Sequence, residues 1–334
     1  MSVVEEGALT APVGQDGDMT STPRSGTQFE IRSGAYTAEI ASVGASLRTL
    51  RYDGRDLVVP FDADEVRPGY RGVVLAPWPN RVVDGRYTFD GAEYELAITE
   101  PNRVHALHGF AAWLDFDVTA QSDDAVTLEA TIQPRTSYPW RVRVETTYRL
   151  GADGLTQSVR FENVGADAAP VGTGPHPYLV AGAGPLDTWT LELPASDVLE
   201  VTPDRLSPVT LRDVADYEPA RFDWREPRVL GAAEIDHAYT GLARDAAGAA
   251  TVRLTDPSGT GVEMVWDGAC PWVQIHTADL PGGAAQPFHR AGLAVEPMTC
   301  APDAFNAARY NFDAGLIVLD AGASTEASWR IAAL

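Results

Sequence analysis

The sequence predicts an all-β protein, built as a large antiparallel β-sandwich. Apolar and polar residues alternate with period two along many segments, turn residues separate these segments at short intervals, and no window has the spacing of a long amphipathic helix. The 24 prolines and 30 glycines also argue against long helices, because both residue types interrupt helices.

The clearest strand prediction is the segment 141–150, in which apolar residues alternate with charged ones. The turn sequence Gly151-Ala152-Asp153-Gly154 follows, and Leu155, Val159 and Phe161 then alternate with polar neighbours. We therefore predict a hairpin. The apolar face of its first strand consists of Val142, Val144, Tyr148 and Leu150.

Similar turn signals recur along the chain. We predict further hairpins at Asp53-Gly54, at Asp90-Gly91 and around Pro257-Ser258-Gly259, each between alternating segments. Val126 to Ile132 provides another strand with one apolar face. The number and regular spacing of these elements favour a sandwich over a small sheet.

The chain divides into a short tail and one domain. Residues 1–26 are rich in Gly, Thr, Ser, Pro and acidic residues, and we expect a disordered N-terminal tail there. Residues 27–334 contain no linker and are predicted to form a single domain. The N-terminus lacks the features of a secretory signal, and Cys270 and Cys300 form no redox or metal motif, so we expect a cytoplasmic protein with two unpaired thiols.

Composition excludes several functions. The net charge of −22 argues against nucleic-acid partners and anionic membranes. All 25 basic residues are arginine, which excludes enzymes that depend on a lysine amine, such as Schiff-base aldolases, pyridoxal phosphate enzymes and P-loop proteins.

The strongest candidate for chemistry is His176 in Gly174-Pro175-His176-Pro177-Tyr178. Each proline fixes its own φ and biases the preceding residue toward extended conformations, so this backbone holds the imidazole in one direction. Other polar clusters occur in similarly constrained settings. They are Asn80-Arg81 after Pro77-Trp78-Pro79, the segment from His105 to His108, Asp236-His237, and Glu296-Pro297.

These residue types suit proton transfer on a sugar. A histidine and a glutamate have unperturbed pKa values of about 6.5 and 4.3, within tuning range of neutrality, and can act as an acid and a base. Arg81 and Asp236 suit hydrogen bonds to hydroxyl or ring oxygens. Aromatic walls for a sugar could come from Trp78, Trp113, Tyr178 and Trp272.

From residue 28 to the C-terminus, the ordered set resembles the aldose 1-epimerase (galactose mutarotase) family. The family's Asn-Arg element, with the hairpin after it, is similar to the segment from Asn80 to Gly91. Its other elements resemble Leu107-His108-Gly109, His176-Pro177-Tyr178, Asp236-His237-Ala238-Tyr239, Gln274, and Glu296 ahead of the run from Pro302 to Asn306.

The resemblance implies a galactose mutarotase-like supersandwich and interconversion of the α and β anomers of a free hexose such as glucose or galactose. It implies that Glu296 takes the proton of the C1 hydroxyl, that His176 protonates the ring oxygen and that His108 assists. Arg81, Asn80, Asp236, Gln274, Tyr178 and Trp113 would bind the sugar. No metal, nucleotide or other cofactor is implied, and we expect a monomer or homodimer.

Departures from the best-known members leave the sugar open. The chain has His108-Gly109-Phe110 and Glu296-Pro297-Met298 where those members carry Gly-Gly after the first histidine and Glu-Thr-Gln at the base. With Ala76-Pro77-Trp78-Pro79-Asn80-Arg81, these features are similar to a bacterial subgroup that includes uncharacterised and sulfosugar-associated epimerases. An alternative substrate is therefore an anionic sugar, a sulfosugar or hexose 6-phosphate, met by Arg67 and Arg71.

Two more distant alternatives remain. A glycoside hydrolase could use Asp236 and Glu296 as its two carboxylates, although the histidines would then have no role. A noncatalytic carbohydrate-binding protein would need aromatic platforms and no acid–base pair. Metal binding by His105 and His108 is disfavoured, because on an extended segment their i, i+3 spacing directs the two rings to opposite faces.

Overall fold

The structure is a computed structural model that describes residues 22–334. The strands of this part of the chain are β1 (Gln28–Ser33), β2 (Tyr36–Ala41), β3 (Ser46–Tyr52), β4 (Arg55–Asp56), β5 (Val74–Leu75), β6 (Arg81–Val83), β7 (Arg86–Phe89), β8 (Ala92–Glu95), β9 (His105–Leu107), β10 (Asp117–Gln121), β11 (Ala125–Ile132), β12 (Val142–Gly151), β13 (Gly154–Asn163), β14 (Ala169–Val171), β15 (Gly174–Pro175), β16 (Tyr178–Leu179), β17 (Thr190–Glu192), β18 (Ala195–Val201), β19 (Pro208–Asp213), β20 (Arg228–Val229), β21 (Asp236–Leu242), β22 (Ala250–Thr255), β23 (Gly261–Trp266), β24 (Trp272–His276), β25 (Leu293–Met298), β26 (Ile317–Leu319) and β27 (Ser324–Ala333).

Helical structure is confined to short segments. The described residues contain one α-helix, α1 (Pro219–Phe222), and the 3₁₀ helices Pro68–Tyr70, Ala111–Trp113, Leu186–Thr188, Gly283–Ala285 and Ala304–Arg309. The prediction of an all-β protein is confirmed. Across residues 22–334, no helix has the length and apolar character needed to cross a membrane.

Two large antiparallel sheets organise the molecule. The first has nine strands in the order β10-β11-β12-β13-β27-β23-β22-β17-β20, and the second has six in the order β16-β25-β24-β21-β18-β19. A four-stranded sheet, β1-β2-β3-β4, and four strand pairs complete the fold. A single hydrophobic cluster includes residues from both large sheets, such as Val252 and Leu254 of β22 and Val273 and Ile275 of β24. The two sheets thus share one core.

The predicted hairpins are present. Strands β12 and β13 pair with Leu150 opposite Leu155, and the four apolar residues predicted for the inner face of β12 are buried. Strand pairs β3–β4, β7–β8 and β22–β23 flank the other three predicted turns. At Asp90-Gly91 both turn residues have positive φ, 49° and 76°, as a two-residue hairpin of this kind requires.

The ordered body begins slightly earlier than predicted. Ser25, which we placed in the tail, is buried, and its hydroxyl donates a hydrogen bond to the carbonyl of Ala63. Residues 1–21 of the predicted tail lie outside the described residues. Cys270 and Cys300 are both free and buried.

The six-stranded sheet has two different faces. Along β24, Val273 and Ile275 enter the core, whereas Gln274 and His276 point to the opposite side. The same alternation on β25 buries Val295 in the core and turns Glu296 to the side of Gln274. Polar residues of three neighbouring strands therefore collect on one face, which is the floor of a cleft.

Candidate active site

The cleft has a volume of about 630 Å³ and contains nearly all of the predicted site residues. Its floor is the polar face of the six-stranded sheet, and the loops around β6 and β9 form its walls. The predicted residues that line it are Asn80, Arg81, His108, His176, Tyr178, Asp236, Gln274 and Glu296.

Strand register arranges the floor in two rows. In one row Glu296 of β25 lies directly opposite Gln274 of β24. In the next row His276 lies between Ala294 and Asp236, its partners on the two adjacent strands. Ala294 also pairs with Tyr178 of β16, which closes that end of the floor. Across this alanine the rings of Tyr178 and His276 approach to 6.4 Å between centroids.

Asn80 and His108 enter the cleft from the strand pair β6–β9. Each lies one residue beyond the paired segment, and each has a positive φ, 54° for Asn80 and 64° for His108. Their backbones are joined, because the N–H of His108 donates to the carbonyl of Asn80 at 2.8 Å. A positive φ is uncommon for residues other than glycine, although Asn and His adopt it more readily than most.

His176 lies between two short strands that belong to different sheets. Strand β15 before it pairs with β5, and β16 after it pairs with β25. The segment is not helical, as its two prolines predict. The position brings His176 Nε2 to 3.4 Å from Glu296 Oε1, with only 6 % and 2 % of the two side chains exposed.

Burial shifts the pKa values of this pair in opposite directions. It raises the pKa of Glu296 well above 4.5, and the negative charge of Asp236 raises it further. Burial lowers the pKa of His176 to about 3, with a further decrease from His276. These opposite shifts favour a protonated Glu296 beside a neutral His176 in the empty cleft.

His108 is a neutral hydrogen-bond donor. Burial, followed by the nearby His176, lowers its pKa well below 6.5. Its Nδ1 accepts a hydrogen bond from the backbone N–H of Asn80 at 3.2 Å. The neutral ring must then carry its proton on Nε2, which leaves that atom as a donor.

An ionic network fixes Arg81 in one wall. Its Nε and Nη2 donate to the two carboxylate oxygens of Glu100 at 2.8 and 3.0 Å, and Nη2 also reaches Asp236 Oδ2 at 3.4 Å. Burial is the largest single effect and would raise the pKa of Asp236, but the positive charges around it, of which Arg81 is the strongest, together lower the pKa. Asp236 is therefore an ionised acceptor, and Gln274 Nε2 donates to it at 2.6 Å.

Several polar atoms of the cleft lack partners among the described residues. They are His176 Nδ1, Gln274 Oε1, His276 Nδ1 and Glu296 Oε2. Leaving a buried polar atom unpaired costs about 1–3 kcal/mol, so this concentration in one cleft is typical of a site that a polar ligand completes.

Three residues predicted to contact a substrate lie elsewhere. Trp113 is 56 % exposed and lines a neighbouring apolar groove, while Tyr70, at 6.0 Å from the Trp113 ring, lines the cleft in its place. Arg67 donates hydrogen bonds to Ser46 and to backbone carbonyls. Arg71 is buried over the ring of Phe288 at 4.2 Å. Neither arginine lines the cleft.

Of the other aromatic candidates, Trp78 and Trp272 belong to hydrophobic clusters.

Sequence analysis missed several cleft residues, among them Tyr70, Glu100, Arg103 and His276. Tyr70 ends a short 3₁₀ helix, and Glu100 and Arg103 lie in the segment between β8 and β9, whose course does not follow from local pattern. His276 had a usable signal, because it follows Gln274 by two residues on one strand and must share its face.

The two histidines considered as a metal pair diverge. His105 Nε2 is 2.9 Å from the carbonyl of Arg205, away from the cleft that His108 lines. Within residues 22–334, no group of three or more His, Cys, Asp or Glu side chains could hold a metal ion.

Known proteins share this architecture. The GalM/aldose epimerase homologue from Caenorhabditis elegans superposes with a TM-score of 0.77 at 19 % identity, covering 92 % of this chain and 98 % of that one. The uncharacterised protein YihR of Escherichia coli K12 is 33 % identical over 290 residues, 86 % of this chain and 89 % of YihR. The galactose mutarotase of Rattus norvegicus is 29 % identical over 228 residues, 64 % of this chain and 65 % of that protein.

The structural similarity shows the fold class, which is the galactose mutarotase-like arrangement of antiparallel sheets. Residues 27–332 match the aldose 1-epimerase family. The chain belongs to this family.

Proposed function

We propose that this protein is an aldose 1-epimerase that interconverts the anomers of a free, uncharged hexose such as glucose or galactose. The observation that carries the proposal is the buried pair of His176 and Glu296, 3.4 Å apart at the floor of a polar cleft. An acid and a base in contact, with one proton between them, are what opening of a hemiacetal ring requires.

The reaction begins with transfer of the pair's proton from Glu296 to His176. Sugar hydroxyls that donate to the unpaired Glu296 Oε2 stabilise the carboxylate and favour this transfer. The carboxylate then accepts the proton of the C1 hydroxyl while the imidazolium of His176 gives its proton to the ring oxygen. The bond between C1 and the ring oxygen breaks, and C1 becomes the aldehyde carbon. Rotation about C1–C2 and reversed transfers close the ring to the other anomer.

The remaining cleft residues hold the sugar during these steps. His108 donates from Nε2 to the ring oxygen or to an oxygen on C1, where charge develops. Arg81, Asp236, Gln274 and Asn80 meet the other hydroxyls, and Tyr178 supplies an aromatic wall. The fixed network around Arg81 keeps these groups in place before the substrate arrives.

Polarimetry on freshly dissolved α-D-glucose and α-D-galactose tests the proposal. The wild type should accelerate mutarotation, and Glu296→Gln and His176→Asn should each lower kcat by about 100-fold or more, because each removes one proton-transfer group. Glu95→Gln is the matched control, since the Glu95 side chain is 72 % exposed.

Other functions predict different results in the same assay. Release of sugar from an aryl glycoside would identify a hydrolase, and sugar binding without acceleration would identify a binding protein. No acceleration of either hexose by the wild type would contradict the proposal for uncharged hexoses.

A second candidate substrate is an aldose with an anionic group, and Arg103 is the observation in its favour. Its side chain lines the cleft and is 37 % exposed, unlike the enclosed Arg81. An anionic group would meet this guanidinium rather than Arg67 or Arg71. Against this candidate, the cleft contains five acidic side chains for two guanidinium groups: Glu100, Asp204, Asp236, Asp279 and Glu296.

A further inference from the structure

His276 is a third cleft histidine to which the reaction above gives no role. It lines the cleft, and its Nδ1 is buried without a partner among the described residues. The nearest acidic atom is Asp236 Oδ1, at 3.9 Å from Nδ1. This distance is too long for a direct hydrogen bond.

The gap between the two atoms matches one hydroxyl group. An oxygen can lie about 2.8 Å from both atoms, since 3.9 Å is less than twice that length, once a small rotation of the imidazole opens the buried Nδ1 to the cleft. A hydroxyl would donate to the carboxylate of Asp236 and accept from an Nδ1–H of His276. Asp236 retains acceptor capacity for this bond, because a carboxylate has about four lone-pair sites and, among residues 22–334, Gln274 and Arg81 are the side chains that donate to it within hydrogen-bond distance.

We infer that His276 and Asp236 together bind one hydroxyl of the sugar ring, and that His276 is a specificity-determining residue. This inference rests on the proposed function and adds to it the recognition of a particular hydroxyl. A sugar that lacks that hydroxyl, or carries it in the other configuration, loses the bridge between the two side chains.

The strand register restricts which hydroxyl is involved. His276 occupies the row next to that of Gln274 and Glu296, about 6.6 Å further along its strand than Gln274. With Glu296 at the C1 hydroxyl, His276 lies beside a carbon away from C1. The candidates are the hydroxyls on C2, C3 and C4.

Deoxy sugars and three variants at position 276 test the inference. We expect His276→Ala to raise KM for glucose about 3- to 10-fold, the value of one neutral hydrogen bond, with kcat changed less. His276→Asn should retain most of the affinity, because its amide nitrogen occupies the place of Nδ1. His276→Gln should not, since its amide corresponds to Nε2.

The sugar series identifies the hydroxyl. Among 2-, 3- and 4-deoxyglucose, one should show a penalty that is about 3- to 10-fold larger with the wild type than with His276→Ala, because the variant keeps only the bond from that hydroxyl to Asp236. Equal penalties for all three sugars in both proteins would contradict the inference and leave the epimerase function standing. A merely structural role would lower kcat and affinity for every sugar together.

Binding measured without turnover separates the two proposals. 1,5-Anhydroglucitol lacks the C1 hydroxyl and cannot undergo ring opening, so its dissociation constant reports contacts alone. Calorimetry should give about 3- to 10-fold weaker binding to His276→Ala than to the wild type. Equal binding would overturn the inference. If His276→Ala binds more weakly but the wild type does not catalyse mutarotation, the contact with His276 stands and the proposed function is contradicted.

Discussion

Glu296 shows how the surroundings of one residue decide its chemistry. A glutamate on an exposed strand would be ionised at neutral pH and would be a weak base. Here the side chain is 2 % exposed, and burial raises its pKa. The raised pKa makes the carboxylate a stronger base, at the cost of holding an ionisable group in an enclosed position.

This cost predicts that Glu296→Gln stabilises the protein at neutral pH. The folded-state pKa of Glu296 lies above its unfolded value of about 4.3, so the unfolded chain loses its proton first as pH rises. Wild-type stability therefore decreases above about pH 4.3, whereas the amide does not titrate. We expect equal Tm values near pH 4 and a Tm for the variant about 2 °C or more higher at pH 7.

Differential scanning fluorimetry from pH 4 to pH 8 measures this difference. Glu95→Gln provides the control, because its exposed carboxylate should give a Tm difference that does not grow with pH. A Tm difference for Glu296→Gln that stays constant with pH would contradict a raised pKa in the folded state.

At the scale of elements, Asp303 connects strand β6 to the 3₁₀ helix Ala304–Arg309, which begins at the next residue. Its backbone N–H donates to the carbonyl of Arg81 at 2.7 Å, and its carboxylate accepts from the N–H of Val83 at 2.8 Å. Asn306 and Tyr310 also donate to this buried carboxylate. One side chain thereby holds the strand that carries Arg81 into the cleft.

Asp303→Ala should destabilise the protein by about 2–4 kcal/mol, because one buried and two partly buried donors lose their acceptor. The displaced β6 should also raise KM for the sugar through Arg81. Urea unfolding and steady-state polarimetry measure the two effects.

Asp303→Asn keeps an acceptor oxygen and should lose less stability than the alanine variant. Asp313→Ala is the control, since Asp313 is exposed and accepts only a local hydrogen bond from Gly315. An unchanged KM in a destabilised Asp303→Ala would mean that Asp303 supports the fold without positioning Arg81.

At the scale of the whole molecule, charge bears on the choice of substrate. The chain has a net charge of −22, and carboxylates outnumber guanidinium groups in the cleft. Long-range repulsion should therefore hinder anionic sugars, and salt should screen this repulsion.

We accordingly expect kcat/KM for glucose 6-phosphate to be below that for glucose, and to rise a few-fold when ionic strength increases from about 0.02 to about 0.2 M. The value for glucose should not change with salt, which makes it the internal control. A higher kcat/KM for the phosphate, lost in Arg103→Ala, would favour the anionic substrate instead.

The sequence by itself determined the fold class and most of the residues of the candidate site. Period-two alternation and paired turn residues such as Asp90-Gly91 act over a few positions, so β12, β13 and their hairpin could be predicted locally. The backbone constraint around His176 and the order of motifs from Asn80 to Glu296 are equally local properties.

Only the tertiary structure decided which of these residues meet. His176 and Glu296 are separated by about 120 positions in the chain and become neighbours through the pairing of β16 with β25. Tertiary packing also placed Arg67, Arg71 and Trp113 outside the cleft and brought Glu100, Arg103 and Tyr70 into it. The physical reason is that burial, pKa shifts and ion pairs depend on through-space neighbours, which loop paths and strand register set and local sequence does not.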